Sequence, residues 1–581
     1  MRKLEMSIIK MTGKAGLIFL LFVINMMGLF AQAPNQQGFE IMKNLDIYSN
    51  MIKELNQDYV DEINPGELTQ AGIDAMLESL DPYTNFIPES QVEDYKFITT
   101  GQYGGIGALI HQQGSFVVIS EPYEGSPAQK FGLKAGDKIL EINGKQAKGK
   151  TYDDVSSFLK GQAGTTVDLL IQRDGESKPL EKTITREIIK IDNIPYSGMV
   201  DQHTGYIKLT GFTQNAAKEM RQAYLKLKEG NELKGVVLDV RGNGGGLLNE
   251  AVDIANIFVE RGQEIVSTKG KMADKNRTHM TMSPPVDLNI PVVVLVDHSS
   301  ASASEILAGS MQDLDRAVVI GQRTFGKGLV QNVVPLSYNA QMKITVAKYY
   351  IPSGRCIQAI DYAHKMKDGS FGKIPDSLIR AFKTKNGRTV YDGGGINPDL
   401  LTKPRKFSNV ALALYSKYLI FDFATIFARE HAVIPPASAF EITDTIYNHF
   451  LEYIKGKDYS YTTKSERALE ALKSEAMKEN YYEAMREEYD HLKGRMDADK
   501  QGDLKKYKDQ VKELLKMEIV TRYYYQKGKI EAALKNDPDL AFAIATVNDP
   551  EKYSAILSGK YVQPKPEIPV KTDDEDDSPE E

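Results

Sequence analysis

The 581-residue chain has only one cysteine, Cys356, and no excess of basic charge. A single thiol cannot form an intrachain disulfide. Because Cys356 stands among residues typical of a strand, we expect it to be a small buried side chain without a catalytic or metal-binding role. The net charge of −7 is matched by seven acidic residues between Asp573 and Glu581, so the rest of the chain is close to neutral. This argues against nucleic-acid binding, which requires a basic face.

The apolar run near the N-terminus, Leu17 to Phe30, is shorter than the roughly 18 residues expected of a membrane-spanning helix. Basic residues precede it, and Ala31-Gln32-Ala33 follows with the small residues of a signal-peptide cleavage site. We therefore predict an exported, periplasmic protein that is cleaved near Ala33 and is membrane-peripheral at most. The alternative is an uncleaved segment that anchors the protein. No cysteine stands there to carry a lipid.

Two glycine-rich segments resemble nucleotide-binding motifs, but each lacks a required residue. Gly321 to Lys327 has the spacing of a P-loop, yet Gly328 occupies the position of the hydroxyl residue that binds Mg²⁺. In the segment Arg241 to Gly246, a dinucleotide fingerprint would need its third glycine where Leu247 stands. We therefore expect no nucleotide cofactor. The scattered histidines have no metal-binding spacing, so we also expect no metal.

The stretch most suggestive of chemistry is Pro291 to Gln331. It predicts a buried strand, a serine-rich turn, a helix, a second strand and a glycine loop that carries Lys327. In one hypothesis a serine at the helix start is a nucleophile and Lys327 is its base, since burial can lower a lysine pKa to about 7–8. In the other, Ser302-Ala-Ser-Glu305 is only a capping box, the usual role of serine at a helix start. Spacing in one sequence does not decide between them.

Two segments, SASASEI (300–306) and TFGKGLVQ (324–331), resemble the signature of the carboxyl-terminal processing peptidases, or tail-specific proteases. These are serine endopeptidases with a Ser–Lys dyad. The resemblance extends from about Glu54 to about Asp399. It implies that Ser302 is the nucleophile, that Lys327 is the general base and that Gln331 orients the lysine. It also implies no cofactor, and protein substrates with exposed apolar C-termini.

The glycine-rich turn after the predicted strand Gly235 to Val240 is suited to an oxyanion hole. Bare backbone N–H groups there can approach a substrate, and the resembled family uses this loop in that way. We expect Gly244 or Gly245 to act together with the N–H of Ala303.

Residues Tyr103 to about Ile188 predict a separate small module of short strands and two helices. It resembles the permuted PDZ domain of these proteases. The N–H groups of a glycine loop can bind a terminal carboxylate while an edge strand pairs with the peptide. The loop that we assign to the carboxylate consists of Gly105, Ile106, Gly107 and Ala108. The groove would lie between the strand after Gly107 and the helix from Tyr152. The alternative is that the glycines only form a tight turn.

Length and pattern together predict a multidomain α/β protein. The resemblance implies a helical N-terminal arm, an inserted PDZ domain, a crotonase-like β/α protease core and an α-helical C-terminal region. The expected boundaries are 1–33 for the signal peptide, 34–97 for the arm, 98–190 for the PDZ domain, 191–405 for the protease core, 406–560 for the helical region and 561–581 for an acidic disordered tail.

The predicted function is that of a serine endopeptidase that recognises C-terminal tails through its PDZ domain. The alternative is a catalytically silent periplasmic scaffold that binds tails without cutting them. A homodimer or an adaptor contact through the helical regions stays open.

Overall fold

The computed structural model describes residues 36–366 and 369–561, which form two compact units with their boundary between Phe86 and Ile87. The predicted signal peptide and almost all of the acidic tail lie outside the described residues. The first unit contains α1 (Gln36–Asp58) and α2 (Pro65–Glu78). The side chain of Asn64 caps α2 by accepting the N–H groups of its first turn. The apolar spacing predicted these helices, and the structure has them.

The inserted module begins and ends in one antiparallel ribbon, where β2 (Gln102–Gly105) pairs with β9 (Glu187–Lys190). Its two chain ends therefore lie side by side, as an insertion requires. Before it come β1 (Asn85–Ile87), a 3₁₀ turn (Glu89–Gln91) and α3 (Val92–Thr100). Its own elements are β3 (Ala108–Gln113), β4 (Phe116–Pro122), α4 (Pro127–Lys130), β5 (Lys138–Ile142), β6 (Lys145–Gln146), α5 (Tyr152–Leu159), β7 (Thr166–Gln172) and β8 (Leu180–Thr185).

The sheet of this module has the order β3-β4-β5-β7-β8, with β6 paired to β5, so that β3 is an edge strand. The apolar pattern of Lys182 to Ile189 predicts a single last strand, but the structure has two, β8 and β9. Arg186 separates them because its buried side chain turns inward. It donates hydrogen bonds to the carbonyl oxygens of Phe158 and Leu159 at the end of α5.

The core contains a six-stranded sheet in the order β10-β11-β12-β15-β16-β23, parallel except for the β10–β11 pair. Its strands are β10 (Tyr196–Met199), β11 (Thr204–Lys208), β12 (Gly235–Asp239), β15 (Val292–Val296), β16 (Val318–Gly321) and β23 (Leu400–Leu401). β12 and β15 are buried at every position, as expected of strands covered on both faces. One face packs against α6 (Ala216–Lys228), α7 (Leu248–Ala255) and α8 (Ala303–Asp313).

The other face of this sheet is covered by helices from the far end of the chain, α16 (Pro538–Val547) and α17 (Pro550–Leu557). Successive side chains of β12 point to opposite faces of the sheet. Leu238 therefore faces the α6–α8 layer, whereas Val237 packs with α16 and α17. The hydroxyl of Tyr553 also lies 3.0 Å from both the N and the O atom of Val292. The C-terminal helices thus complete the packing of the core sheet.

A second sheet lies beside the first and contains β13 (Glu264–Gly270), β14 (Arg277–Met280), β17 (Leu329–Pro335) and β18 (Gln341–Tyr350). Ala347 of β18 pairs with both Gly270 and Val330, which places β13 and β17 on opposite edges of β18. Four short strands form two hairpin pairs: β19 (Ile360–Lys365), β20 (Phe371–Lys373), β21 (Ala381–Lys383) and β22 (Thr389–Tyr391).

The C-terminal region is a helical domain with its own apolar core. Its helices are α9 (Asn409–Ser416), α10 (Leu419–Glu430), α11 (Asp444–Ile454), α12 (Lys464–Lys478), α13 (Arg486–Gln501), α14 (Asp503–Lys506) and α15 (Lys508–Leu534). It also contacts the inserted module, where His111 stacks on Tyr418 with ring centroids 4.2 Å apart. In the described ranges no single helix is long and apolar enough to cross a membrane. The pair α9 and α10 passes on length and composition only when joined across a 62° bend.

Candidate active site

Three loops meet at one edge of the core sheet because they follow adjacent parallel strands. β12, β15 and β16 are neighbours in the sheet and run in the same direction. Their carboxyl ends therefore lie together, the usual position of a site in a parallel α/β sheet. The three segments that follow these strands contain Gly242–Gly246, Ser299–Ser302 and Gly326–Gly328. Strand order alone thus brings the predicted oxyanion loop, serine and lysine to the same edge.

Ser302 has a backbone conformation unlike that of an ordinary helix cap. Its φ of 55° and ψ of −113° lie in a region that non-glycine residues rarely adopt, and such strain is frequent at functional sites. Ser302 is partly exposed, whereas Ser300 and Ser304 are buried. Their hydroxyls donate to the carbonyl oxygens of Val240 (2.9 Å) and Asn243 (2.8 Å). Of these three serines, Ser302 is the one placed to meet a substrate.

The buried carboxylate of Glu305 fastens the serine turn to the lysine loop. Its Oε2 atom accepts the N–H groups of Ser302 and Lys327, each at 2.9 Å. Its Oε1 atom accepts the N–H of Gly326 at 2.7 Å and the hydroxyl of Thr324 at 2.5 Å. Burial raises the pKa of Glu305 to about 7 against the opposing effect of these donors. Glu305 therefore binds both loops, in addition to its place in the capping box at the start of α8.

Tyr349 makes a second connection between the same loops. Its buried hydroxyl lies 3.2 Å from the carbonyl oxygen of Ser302 and also contacts the carbonyl oxygen of Lys327. A hydroxyl has one hydrogen to donate, so the two acceptors share it. The main chains of Ser302 and Lys327 are thus joined through Glu305 on one side and Tyr349 on the other.

The lysine loop is shaped by glycines. Gly326 has a φ of +87°, and a Cβ atom there would lie 2.4 Å from the Cβ of Ala359. The N–H of Gly328 donates to Oε1 of Gln358 at 2.7 Å. Lys327 itself is half-buried.

Gln331 follows on β17, where its Nε2 donates to Oγ1 of Thr345 at 3.2 Å. It also lines a cavity of about 450 Å³ together with Leu247, Val330 and Ala347. This cavity joins β17 to the end of the glycine loop, and it can receive side chains of a bound peptide. The role of Gln331 in orienting Lys327 stays a prediction.

The glycine loop lies directly against the serine turn. A Cβ atom on Gly245, whose φ is +103°, would come within 2.7 Å of the Ala301 carbonyl oxygen and within 2.9 Å of the Ala303 nitrogen. The N–H of Gly245 donates to Oδ1 of Asn243 at 2.9 Å. In the described part of the chain no acceptor is found for the N–H of Gly244 or of Ala303. Gly244 could therefore donate without rearrangement, whereas Gly245 would first have to leave Asn243.

Family models match three parts of this chain. The model of Peptidase family S41 matches residues 203–367, that of a PDZ domain 118–173, and that of a probable PDZ-protease C-terminal helical domain 410–547. A carboxy-terminal-processing protease of Bartonella bacilliformis is 37% identical over 322 residues, which cover 55% of this chain and 73% of that protein. This chain belongs to the carboxy-terminal-processing proteases of family S41.

Two further similarities have lower coverage or lower similarity. A probable CtpA-like serine protease of Staphylococcus aureus (strain MRSA252) is 36% identical over 320 residues, 54% of this chain and 62% of that protein. The solved structure of a photosystem II D1 C-terminal processing protease is 27% identical with a TM-score of 0.34, covering 62% of this chain and 92% of that one. The family assignment makes the present chain a serine-type peptidase with a PDZ domain and a C-terminal helical domain.

In the PDZ domain of this S41 peptidase, the predicted carboxylate loop has two N–H groups that point away from the domain interior. The carbonyl oxygen of Ile106 accepts from the N–H of Ala128 at 2.7 Å, and that of Gly107 accepts from the N–H of Tyr123 at 2.9 Å. A trans peptide unit directs its N–H opposite to its C=O. The N–H groups of Gly107 and Ala108 therefore point away from the 123–128 segment. Gly105 ends β2, and the Ile106 side chain is buried.

Three residues of the S41 site were missed as functional by sequence reasoning. Glu305 was explained by the capping box, and no chemical role was assigned to Tyr349. Asn243 was treated only as one residue of the glycine-rich turn. It is fully buried, and its side chain and backbone join the Leu209 carbonyl, the Gly245 N–H and the Ala301 N–H. The one available signal for Glu305 was its position directly before the apolar residues Ile306 and Leu307.

Proposed function

We propose that this peptidase cleaves protein substrates with a Ser302–Lys327 dyad after its PDZ domain has bound the C-terminal tail of the substrate. The observation that carries the proposal is the attachment of both residues to Glu305, whose Oε2 atom accepts the N–H of each. Burial of this carboxylate costs free energy that its hydrogen bonds do not fully offset, since burial still raises its pKa. In return it fixes a nucleophile and its base relative to each other.

In the proposed reaction the Oγ of Ser302 attacks the scissile carbonyl carbon while the neutral Nζ of Lys327 takes the hydroxyl proton. The oxygen of the tetrahedral intermediate accepts hydrogen bonds from the N–H of Ala303 and from a glycine of the 244–245 loop. As the C–N bond breaks, Lys327 gives its proton to the leaving amine. A water molecule then releases the acyl group by the same steps, with Lys327 again as the base.

Tail recognition is supported by the edge position of β3 and by the direction of the Gly107 and Ala108 N–H groups. In the proposed complex the terminal carboxylate binds these N–H groups, and the peptide pairs with the open edge of β3 beside α5. The substrate side chains that precede this terminal carboxylate are apolar, as the resemblance to the tail-specific proteases implies.

We also propose that the protein acts after export, in the periplasm, where the N-terminal segment has been removed near Ala33. The support is the order of basic, apolar and small residues in the sequence. Cell fractionation together with the N-terminal sequence of the mature protein tests this. A mature chain that still begins at Met1 would favour the membrane-anchored alternative.

The function as a whole is tested with an unfolded reporter protein that ends in an apolar tail. The purified wild-type protein should cut it, and the Ser302→Ala variant should bind the tail with unchanged affinity and leave the reporter intact. Binding without any cutting by the wild type would instead support the silent scaffold. Cleavage by the Ser302→Ala variant would rule out this serine as the nucleophile.

A further inference from the structure

The glycine loop of the active site is tied to the C-terminal helix α16 through Arg241. This arginine stands between β12 and Gly242, and its guanidinium is largely buried. Its Nε and Nη2 atoms donate to the carboxylate of Asp239 at 2.7–3.2 Å. Burial favours the neutral form of Asp239, but Lys208 and Arg241 outweigh it and hold the pKa of this carboxyl well below its usual range.

On its other side the same guanidinium meets Asp537. Nη1 donates to Oδ1 at 3.1 Å and Nη2 donates to Oδ2 at 2.6 Å, so the contact is bidentate. Asp539 adds a longer contact of 3.3 Å to Nη1. These aspartates lie 296 and 298 residues after Arg241 in the chain. They belong to the start of α16, which packs on the face of the core sheet opposite α8.

Asp537 also has a local role. It is the N-cap residue of α16, and its Oδ1 accepts the N–H groups of Asp539 (3.0 Å) and Leu540 (3.1 Å). The carboxylate of Asp537 therefore binds both the first turn of α16 and the guanidinium of Arg241. The backbone of Arg241 is fixed as well, because its N–H donates to Asp239 (2.9 Å) and its carbonyl oxygen accepts from Lys208 (2.7 Å).

We infer that Asp537 is a positioning residue of the protease: through Arg241 it sets the glycine loop at the distance from Ser302 that oxyanion binding needs. The inference rests on the proposed function, since it assigns the loop to the oxyanion. It goes beyond that function by giving the C-terminal helix α16 a role in the geometry of the catalytic site of the same chain. Only two residues, Gly242 and Asn243, separate Arg241 from Gly244. A shift of the guanidinium therefore also moves the backbone N–H of Gly244, because the intervening segment is too short to compensate for it.

The sharpest variant is Asp537→Asn. Asparagine caps a helix as well as aspartate does, so α16 keeps its N-cap. The charge-assisted, two-pronged contact with Arg241 is lost, because an amide presents only one acceptor oxygen. Asp549→Asn is the matched control. Asp549 caps the next helix, α17, where its side chain accepts the N–H of Lys552, and it has no arginine partner among the described contacts.

Steady-state cleavage of a tailed peptide separates kcat from KM for the two variants, with thermal unfolding measured alongside. Asp537→Asn should lower kcat by at least about tenfold and change KM by less than about twofold, because the PDZ domain still binds the tail. Asp537→Glu should recover part of the rate, and Arg241→Lys should lose rate like Asp537→Asn without adding to it in the double variant. Asp549→Asn should leave kcat unchanged, with a melting temperature similar to that of Asp537→Asn.

The inference would be overturned by a kcat of Asp537→Asn within twofold of the wild type, or by equal losses in Asp537→Asn and Asp549→Asn. Failure of the proposed function would look different, since the wild type would then show no rate or Ser302→Ala would keep one. A parallel fall of kcat and thermal stability in Asp537→Asn alone, without recovery by Asp537→Glu, would also reject positioning and leave a purely structural role.

Discussion

The Oε2 atom of Glu305 accepts the backbone N–H of Lys327 at 2.9 Å, although 22 residues and the strand β16 separate the two. The same oxygen accepts the N–H of Ser302. The position of the lysine loop relative to the serine turn therefore depends on one buried carboxylate. Its pKa, which burial raises from the usual 4.5 to about 7, lies in the range in which enzymes are assayed.

Catalytic rate should fall as the pH is lowered through about 7. Protonation of Glu305 removes the charge from an acceptor of four hydrogen bonds, and charge-assisted bonds are roughly twice as strong as neutral ones. Protonation of Lys327 as the base acts in the same direction. A kcat–pH profile between pH 5 and 9 checks this. A profile that is flat between pH 6 and 8 would contradict it.

Stability should change in the opposite direction. The folded-state pKa of Glu305 is raised, so its favourable contribution is complete below about pH 4.5 and is lost as the pH rises through about 7. The loss amounts to about 3 kcal/mol. Urea unfolding of the Ser302→Ala protein is compared with that of the same protein carrying Glu305→Gln. Because glutamine does not titrate, the difference between their pH dependences gives the contribution of Glu305 to the free energy of unfolding. Parallel pH dependences of the two proteins would show that Glu305 keeps an ordinary pKa.

Gly245 and Gly244 should differ sharply in their tolerance of alanine. The new Cβ atom at residue 245 would lie 2.8 Å from the Cβ of Ser302, whereas at residue 244 nothing lies within 4 Å. We expect Gly245→Ala to lower kcat by about a hundredfold or more, because the clash displaces the loop that supplies the oxyanion donor, and Gly244→Ala to keep most of the rate. Circular dichroism of both variants controls for folding. Equal rates for the two variants would argue against close contact between this loop and Ser302.

Removal of the Tyr349 hydroxyl should affect chemistry more than stability. Its loss in Tyr349→Phe leaves two carbonyl acceptors, those of Ser302 and Lys327, without a shared donor. We expect kcat to fall about tenfold and the free energy of unfolding to fall by about 1 kcal/mol. Tyr350→Phe is the matched control, because the ring of this neighbour remains under Nζ of Lys269 at 4.4 Å. Similar kcat values for both variants would count against a role of Tyr349 in the site.

Amidation of the substrate C-terminus should weaken binding to the PDZ domain. The N–H groups of Gly107 and Ala108 lose a charged acceptor, which costs about 1.5–3 kcal/mol, or roughly ten- to a hundredfold in Kd. Calorimetry with the Ser302→Ala protein and matched free-acid and amide peptides measures this. Substitution at Gly107 is a poorer probe, because a Cβ atom would lie 2.5 Å from the Cβ of Ser126 and disturb the loop itself. Equal Kd values for the two peptides would remove the carboxylate from the proposed recognition.

The elements and the strand-end loops of the site could be predicted because they depend on local pattern. The apolar runs of β12 and β15 indicated buried strands, and the order of strands and helices then brought Ser302 and Lys327 to one edge. The links between the loops could not be predicted. The capping box already accounted for Glu305, so nothing in the spacing called for its bonds to Gly326 and Lys327.

Contacts between distant residues and breaks inside helices could not be predicted from the sequence either. Nothing near Asp537 indicates that it meets Arg241, 296 residues away. The helical period of the sequence predicts one helix over Val410–Arg429 and one over Lys464–Arg495, but the structure has two helices in each segment. The breaks occur at Tyr418 (φ 59°) and Asn480 (φ 62°). Neither break contains glycine or proline, the residues that mark such positions. Asparagine tolerates the left-handed conformation at a helix end, whereas Tyr418 has no such preference and gives no local signal of a break.

The central claim, that Ser302 and Lys327 act as one unit, is tested most directly by single-turnover cleavage of a tailed peptide. The proteins to compare are Ser302→Ala, Lys327→Ala and the double variant. Each single variant should lose about a thousandfold or more in rate while binding the peptide normally, and the double variant should be no worse than either. A Lys327→Ala protein that keeps a substantial part of the wild-type rate would contradict the dyad.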